Sequence, residues 1–108
     1  IIIVGYPFVL DSKLFNVAAV IFGGELCGIV LKTHLSNSRE YYEERWFTSS
    51  REVDFNGYRL SDYGHHAIGN SMVFEVSKFF DNQYNSIKFG VEICEDLWAI
   101  NPPSNDLA

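Results

Sequence analysis

The chain has 108 residues, of which 47% are apolar, a composition that suits one small globular domain or part of a larger one. Fourteen acidic and 8 basic residues give a formal charge of −6 with no basic run, so nothing in the chain recruits a nucleic-acid backbone or an anionic membrane. Nine Phe and 6 Tyr fit a packed core with a lined pocket or subunit interface, and exclude disorder.

Residues 1–4 (IIIV) read as a fully buried strand, opening the chain with no polar approach. Sequence is therefore expected beyond both ends. Gly5, Pro7 and the Asp11-Ser12 pair break this run, which is too short to span a membrane and lacks the basic leader of a signal peptide. A reducing cytoplasm is the default compartment. Residues 14–21 and 26–31 are two further strands, and Gly23-Gly24 between them is a hairpin signal. Ala18 and Ala19 are small enough for another layer to pack closely on them. Lys32 ends the second hairpin strand, and residues 33–39 are polar and loop-like.

Residues 40–47 (EYYEERWF) form either a short helix or a structured loop. Residues 48–71 offer only short strands. A strand is expected over 71–76, a turn around Asp81, Asn82 and Asn85, and a strand over 87–94 that runs into Cys94. After the turn at Asn101-Pro102-Pro103, Ser104 is placed to cap a helix. So many apolar strands with so few helices require cover from helices elsewhere, a second sheet or a partner subunit.

Few residues carry candidate chemistry. Cys94 at a strand end has the placement of a nucleophile, although a cysteine in such a run also serves as a small core residue. Glu92, Glu95 and Asp96 surround it with like charge, which opposes a thiolate. Lys32, leaving a buried strand, is the cation that answers them, or else a solvated strand end. Glu43 among aromatics either pairs with Arg45 or Arg39, or orients Lys32. His34, His65 and His66 lack a metal-binding pattern, Gly23-Gly24 lacks a phosphate-loop context, and Cys27 and Met72 read as core. Two cysteines exclude a disulfide-dense scaffold.

Three stretches resemble the nitrilase (carbon-nitrogen hydrolase) superfamily, and within it the glutaminase domain of glutamine-dependent NAD synthetases: FNVAAVIFGGELCGIVLK at 15–32, EYYEERWF at 40–47, and FGVEICEDLWAINPPS at 89–104. The resemblance implies an α/β fold, the four-layer α-β-β-α sandwich, of which residues 1–108 are an internal, strand-rich part. It makes Cys94 the nucleophile, Lys32 the catalytic lysine and Glu43 a supporting glutamate. The Glu95 amide joins Lys32 in the oxyanion site, and Tyr41 lines the glutamine pocket. It places the general-base glutamate before Ile1 and a synthetase domain using ATP and Mg²⁺ after Ala108, so the segment alone is expected to be inactive. No cofactor or metal site is expected within the 108 residues. The implied partners are glutamine, deamido-NAD and further copies of the chain. Leu31 stands where the family often has Pro, and Leu35-Ser36-Asn37 where it has Leu-Pro-Asn, so altered loop packing is expected there. A free-standing amidase or carbamoylase, or a non-catalytic β-rich interaction domain, are the alternatives.

Overall fold

Two tight turns set the first three strands. Strand β1 (Ile2–Leu10) returns as β2 (Lys13–Phe22) through Asp11 and Ser12, and β2 returns as β3 (Glu25–Leu31) through Gly23 and Gly24. The four turn residues have φ of 49°, 63°, 61° and 84°, the positive values that a two-residue hairpin turn requires. The computed structural model describes residues 1–54, 59–60, 66–80 and 83–108. The expected turn at Asp81-Asn82, the position of His65 and part of the 48–71 stretch lie outside the described residues.

The first strand departs from expectation in two ways. Gly5 and Pro7 do not end it; it runs to Leu10. Proline is tolerated because β1 is the edge of its sheet, where a missing N–H removes little from the ladder. For the same reason residues 1–4 are not buried: Ile1, Ile2, Ile3 and Val4 are 61%, 60%, 50% and 44% exposed. An edge strand has one neighbour, and the central strands take the cover.

Beyond β3, the sheet continues with β5 (Ala67–Gly69) parallel to it and β4 (Arg59–Leu60) outermost, in the order β1-β2-β3-β5-β4. Parallel neighbours need a long crossover, and the one from β3 to β5 carries the loop after Lys32. Strands β6 (Phe74–Phe80) and β7 (Gln83–Phe89) form a separate antiparallel hairpin. β6 starts later than expected, and β7 stops at Phe89, so Cys94 lies past the strand and begins a 3₁₀ turn (Cys94–Trp98).

Register decides which side chains share a face. Phe15, Val17, Ile29, Leu31 and Ile68, none more than 1% exposed, form the core on one face, with Tyr6, Phe8, Leu10, Leu26 and Val53 packed around them. On the opposite face Ala18, Val20 and Val30 are buried as well. There Gly28 admits the second sheet: a Cβ on it would stand 2.9 Å from a Phe74 ring carbon and 3.2 Å from the Met72 methyl. Part of the cover demanded by the sequence is thus a second sheet. The register shifts after Val20, leaving Cys27 as the extra residue of a bulge, so it is exposed and not core. Met72 is half-buried.

Among the described residues helix is limited to 3₁₀ turns at Glu43–Arg45, Ser50–Glu52 and Cys94–Trp98, plus α1 (Ser104–Leu107). The described residues are therefore an α/β arrangement dominated by strands, and among them no helix is long and apolar enough to cross a membrane. Ser104 does not cap α1 with its side chain; its amide donates to Glu92 Oε1 at 2.7 Å instead. Replacing Phe15, which is 0% exposed, removes the largest side chain of the core. Phe15→Ala is expected to lower unfolding free energy by about 3–5 kcal/mol in chemical denaturation of the whole protein.

Candidate active site

Lys32 follows the last residue of β3 and lies opposite Asn16 of β2, whose carbonyl accepts the Lys32 amide at 2.9 Å. The two side chains therefore leave the sheet on the same face. Lys32 is 2% exposed, which removes the reading of a solvated strand end. An isolated buried ammonium is prohibitively costly, so it must be paired.

Its partner is Glu43, whose Oε2 bonds the Lys32 ammonium. The same oxygen accepts the Ser36 amide at 2.6 Å, and Oε1 accepts the Asn16 side-chain amide at 2.9 Å. Among the described residues Glu43 thus pairs with Lys32, and not with the nearby Arg39 or Arg45; the Arg45 guanidinium lies 5.2 Å over the Trp46 ring. The 3₁₀ turn at Glu43–Arg45 aims the carboxylate, and the Glu43 amide donates back to Ser36 O at 3.0 Å. Burial pushes the Glu43 carboxyl up, but Lys32, Ser36 and Asn16 outweigh it and leave its pKa below the ordinary glutamate value. Ser36 occupies the position of the expected loop departure, and its N–H is a donor that a proline there could not supply.

The chain then returns to the sheet. Thr48 donates to Leu14 O at 2.7 Å and Ser50 to Lys32 O at 3.0 Å. Ser50, 0% exposed, bonds Thr33 Oγ1 at 2.9 Å and Asn70 at 3.1 Å, closing the loop onto the ends of the parallel strands β3 and β5.

Cys94 is exposed and has φ of 52°, a left-handed conformation that costs a non-glycine residue of order 1–2 kcal/mol. Two of the carboxylates expected to oppose it are engaged elsewhere. Glu92 accepts the Ser104 amide. Asp96, 2% exposed, accepts amides from Ile93 at 3.3 Å, Thr33 at 3.1 Å and His34 at 2.7 Å. It thereby ties the Cys94 turn to the two residues after Lys32. Burial pushes the Asp96 carboxyl above the ordinary aspartate value, and the His34, Ile93 and Thr33 amides pull it only part of the way back.

Glu95, half-buried, lines a cavity of about 430 Å³ with Thr33, His34, Glu44, Ser49 and Arg51 among its other walls. Tyr41 is 56% exposed on the loop leading to Glu43. A second cavity, about 290 Å³, lies between the sheets beside Cys27 and Phe74, and the lining of neither cavity includes Lys32 or Cys94. The structure therefore brings Lys32 and Glu43 into contact, and joins them to the Cys94 turn through Asp96.

No family model matches the chain. It is 30% identical over all 108 residues to the glutamine-dependent NAD(+) synthetase of Mycobacterium tuberculosis, covering 15% of that protein. It is 33% identical over 100 residues to that of Xylella fastidiosa, covering 93% of this chain and 14% of the relative. The Thermotoga maritima relative is 29% identical over 98 residues, covering 91% of this chain and 12% of the relative. Each of these relatives is a glutamine-dependent NAD(+) synthetase. The chain spans about 15% of the length of the mycobacterial relative. A crystal structure of a glutamine-dependent NAD(+) synthetase from Cytophaga hutchinsonii aligns with a TM-score of 0.58 at 24% identity, over 68% of this chain and 12% of that one, a likeness of fold.

Sequence reasoning missed Asn16 and Asp96 as partners in the site. Asn16 had a signal, since it shares its strand face with Lys32 once the hairpin register is laid out. Asp96 had none beyond its charge for the bonds that reach the lysine segment, because His34 and Thr33 lie 62 and 63 residues away. Glu43→Gln leaves the buried ammonium facing a neutral amide and is expected to cost about 3 kcal/mol near neutral pH. With the folded pKa depressed, that contribution is complete above the unfolded value of about 4.3 and is lost as pH falls through the lower folded value. Denaturation of both proteins should therefore give the full difference at about pH 5 and a smaller one at about pH 3.

Proposed function

We propose that the chain is part of the glutaminase portion of a glutamine-dependent NAD synthetase, and that the whole protein hydrolyses the glutamine side-chain amide to supply ammonia for ATP-dependent conversion of deamido-NAD to NAD. The observation that supports this reading best is the buried Lys32–Glu43 pair tied to the turn of an exposed cysteine. A lysine held this firmly presents a fixed positive charge where an oxyanion would develop. The relatives' names supply the substrate.

In this reading the Cys94 sulfur attacks the amide carbon, and its proton passes to a general base that the resemblance places before Ile1. Lys32 and the Glu95 amide stabilise the oxyanion, while Tyr41 lines the glutamine pocket. The carbon–nitrogen bond breaks, the base returns the proton, and ammonia leaves. Water then hydrolyses the γ-glutamyl thioester to glutamate and the free thiol. Glu43 holds the lysine in place. The four-layer α-β-β-α sandwich and a cytoplasmic location belong to the same proposal. So do assembly of several copies and a synthetase portion, elsewhere in the whole protein, that uses ATP and Mg²⁺.

Substitution in the full-length protein tests this. Cys94→Ala should lower glutamine hydrolysis at least about a thousandfold, and Lys32→Met by about a hundredfold or more. Synthesis from added ammonia should continue in Cys94→Ala. Glutamine hydrolysis at the wild-type rate in Cys94→Ala would overturn the assignment of the nucleophile. Loss of ammonia-supported synthesis from a folded Cys94→Ala protein would overturn the separation of the two reactions.

A further inference from the structure

We propose that Asp96 is the positioning residue that sets the Cys94 sulfur against the Lys32 ammonium, by clamping the Cys94 turn to the backbone that leaves Lys32; the inference rests on the glutaminase reading above. Asp96 does two things with one carboxylate. Oδ2 accepts the Ile93 amide at 3.3 Å, while the Asp96 amide donates to Ile93 O at 3.2 Å, which closes the turn around Cys94. Oδ1 reaches across the fold to the amides of Thr33 at 3.1 Å and His34 at 2.7 Å, with Thr33 also 3.4 Å from Oδ2.

A turn of this size needs only a neutral cap such as Ser or Asn. Burying a carboxylate to 2% exposure is the costly choice. All three amides bonded to it are N–H donors, and among the described residues no lysine or arginine pairs with it. What the charge adds is strength in the bonds that span two distant segments. Those segments carry the proposed nucleophile and the proposed cation, and each is anchored within two residues of its reacting group. The left-handed φ of 52° at Cys94 needs the same clamp, because a strained residue persists only where its surroundings over-determine it.

The test uses full-length wild type, Asp96→Ala and Asp96→Asn, with three readouts: kcat and KM for glutamine hydrolysis, the rate of Cys94 alkylation by iodoacetamide, and the thermal midpoint. Misplacement by about 1 Å costs about a hundredfold. Asp96→Ala is therefore expected to lose about a hundredfold in kcat, with KM changed by less than about threefold. Asparagine keeps one oxygen for Thr33 and His34, so Asp96→Asn should lose only about tenfold. Iodoacetamide alkylation of the exposed thiol, which reads thiolate and access but not oxyanion stabilisation, should fall by no more than about tenfold, clearly less than kcat. Should Asp96→Ala not fold, Asp96→Asn alone decides by the same measures. A folded variant with wild-type kcat overturns the proposal. So does a parallel fall of kcat, alkylation and folded fraction, the mark of a purely structural residue. Wild-type protein that alkylates at Cys94 but does not hydrolyse glutamine would instead remove the glutaminase reading, and this inference with it.

Discussion

A lysine ammonium buried to 2% exposure constrains everything around it. It requires a carboxylate within bonding reach, and the carboxylate requires further donors for its other lone pairs. Glu43 meets both demands by taking Lys32, Asn16 and the Ser36 amide at once. To do so, the loop after β3 must double back over the end of the β2–β3 hairpin, and its hydrogen bonds to Leu14, Ser36 and Lys32 follow that path. Buried ion pairs are often replaced by apolar side chains of similar volume without loss of stability. The pair is therefore better understood as holding a charge in place than as holding the fold together.

The second constraint acts on the cysteine turn. Read as sequence, Glu92, Glu95 and Asp96 are three negative charges crowding a thiol. Folded, Glu92 caps α1, which follows, and Asp96 caps the turn and the backbone after Lys32. Their charge is taken up by backbone amides, so these acids build the loop that presents Cys94. The two constraints meet at residues 32–34, where Lys32 turns to Glu43 and the next two amides turn to Asp96.

The hairpin of β2 and β3, the Gly-Gly turn and the position of Lys32 were legible because each depends on local pattern: β-branched runs, glycines free to take positive φ, and a charged residue ending an apolar stretch. The first strand was misread because an apolar run carries no mark of whether it will sit at the centre or the edge of a sheet. The same limit applies to Cys27, whose exposure comes from a one-residue register shift. Cys94 was expected on a strand because residues 87–94 alternate well, yet the ladder ends at Phe89. The bonds that stop it come from Glu92 and Asp96 reaching segments distant in the chain. Within the site, the lysine and the glutamate were named from sequence, but Asp96 was given the opposite role, since its partners are backbone amides and no side-chain pattern encodes them.

The contrast in exposure between the two key residues follows from their supports. Lys32 leaves a central strand, so its side chain starts inside the sheet's cover and only a buried carboxylate satisfies it. Cys94 sits on a turn outside both sheets, where side chains from Leu97 to Ile100 are also largely solvent-facing. A reaction that needs a fixed cation and a thiol reachable by a small amide requires this inequality: the cation loses by moving, the sulfur by being covered. A clamp between backbone segments reconciles the two demands, because it fixes position without adding side-chain bulk over the sulfur. Backbone-to-carboxylate bonds are suited to that task, being charge-assisted and independent of which side chains line the adjoining cavity.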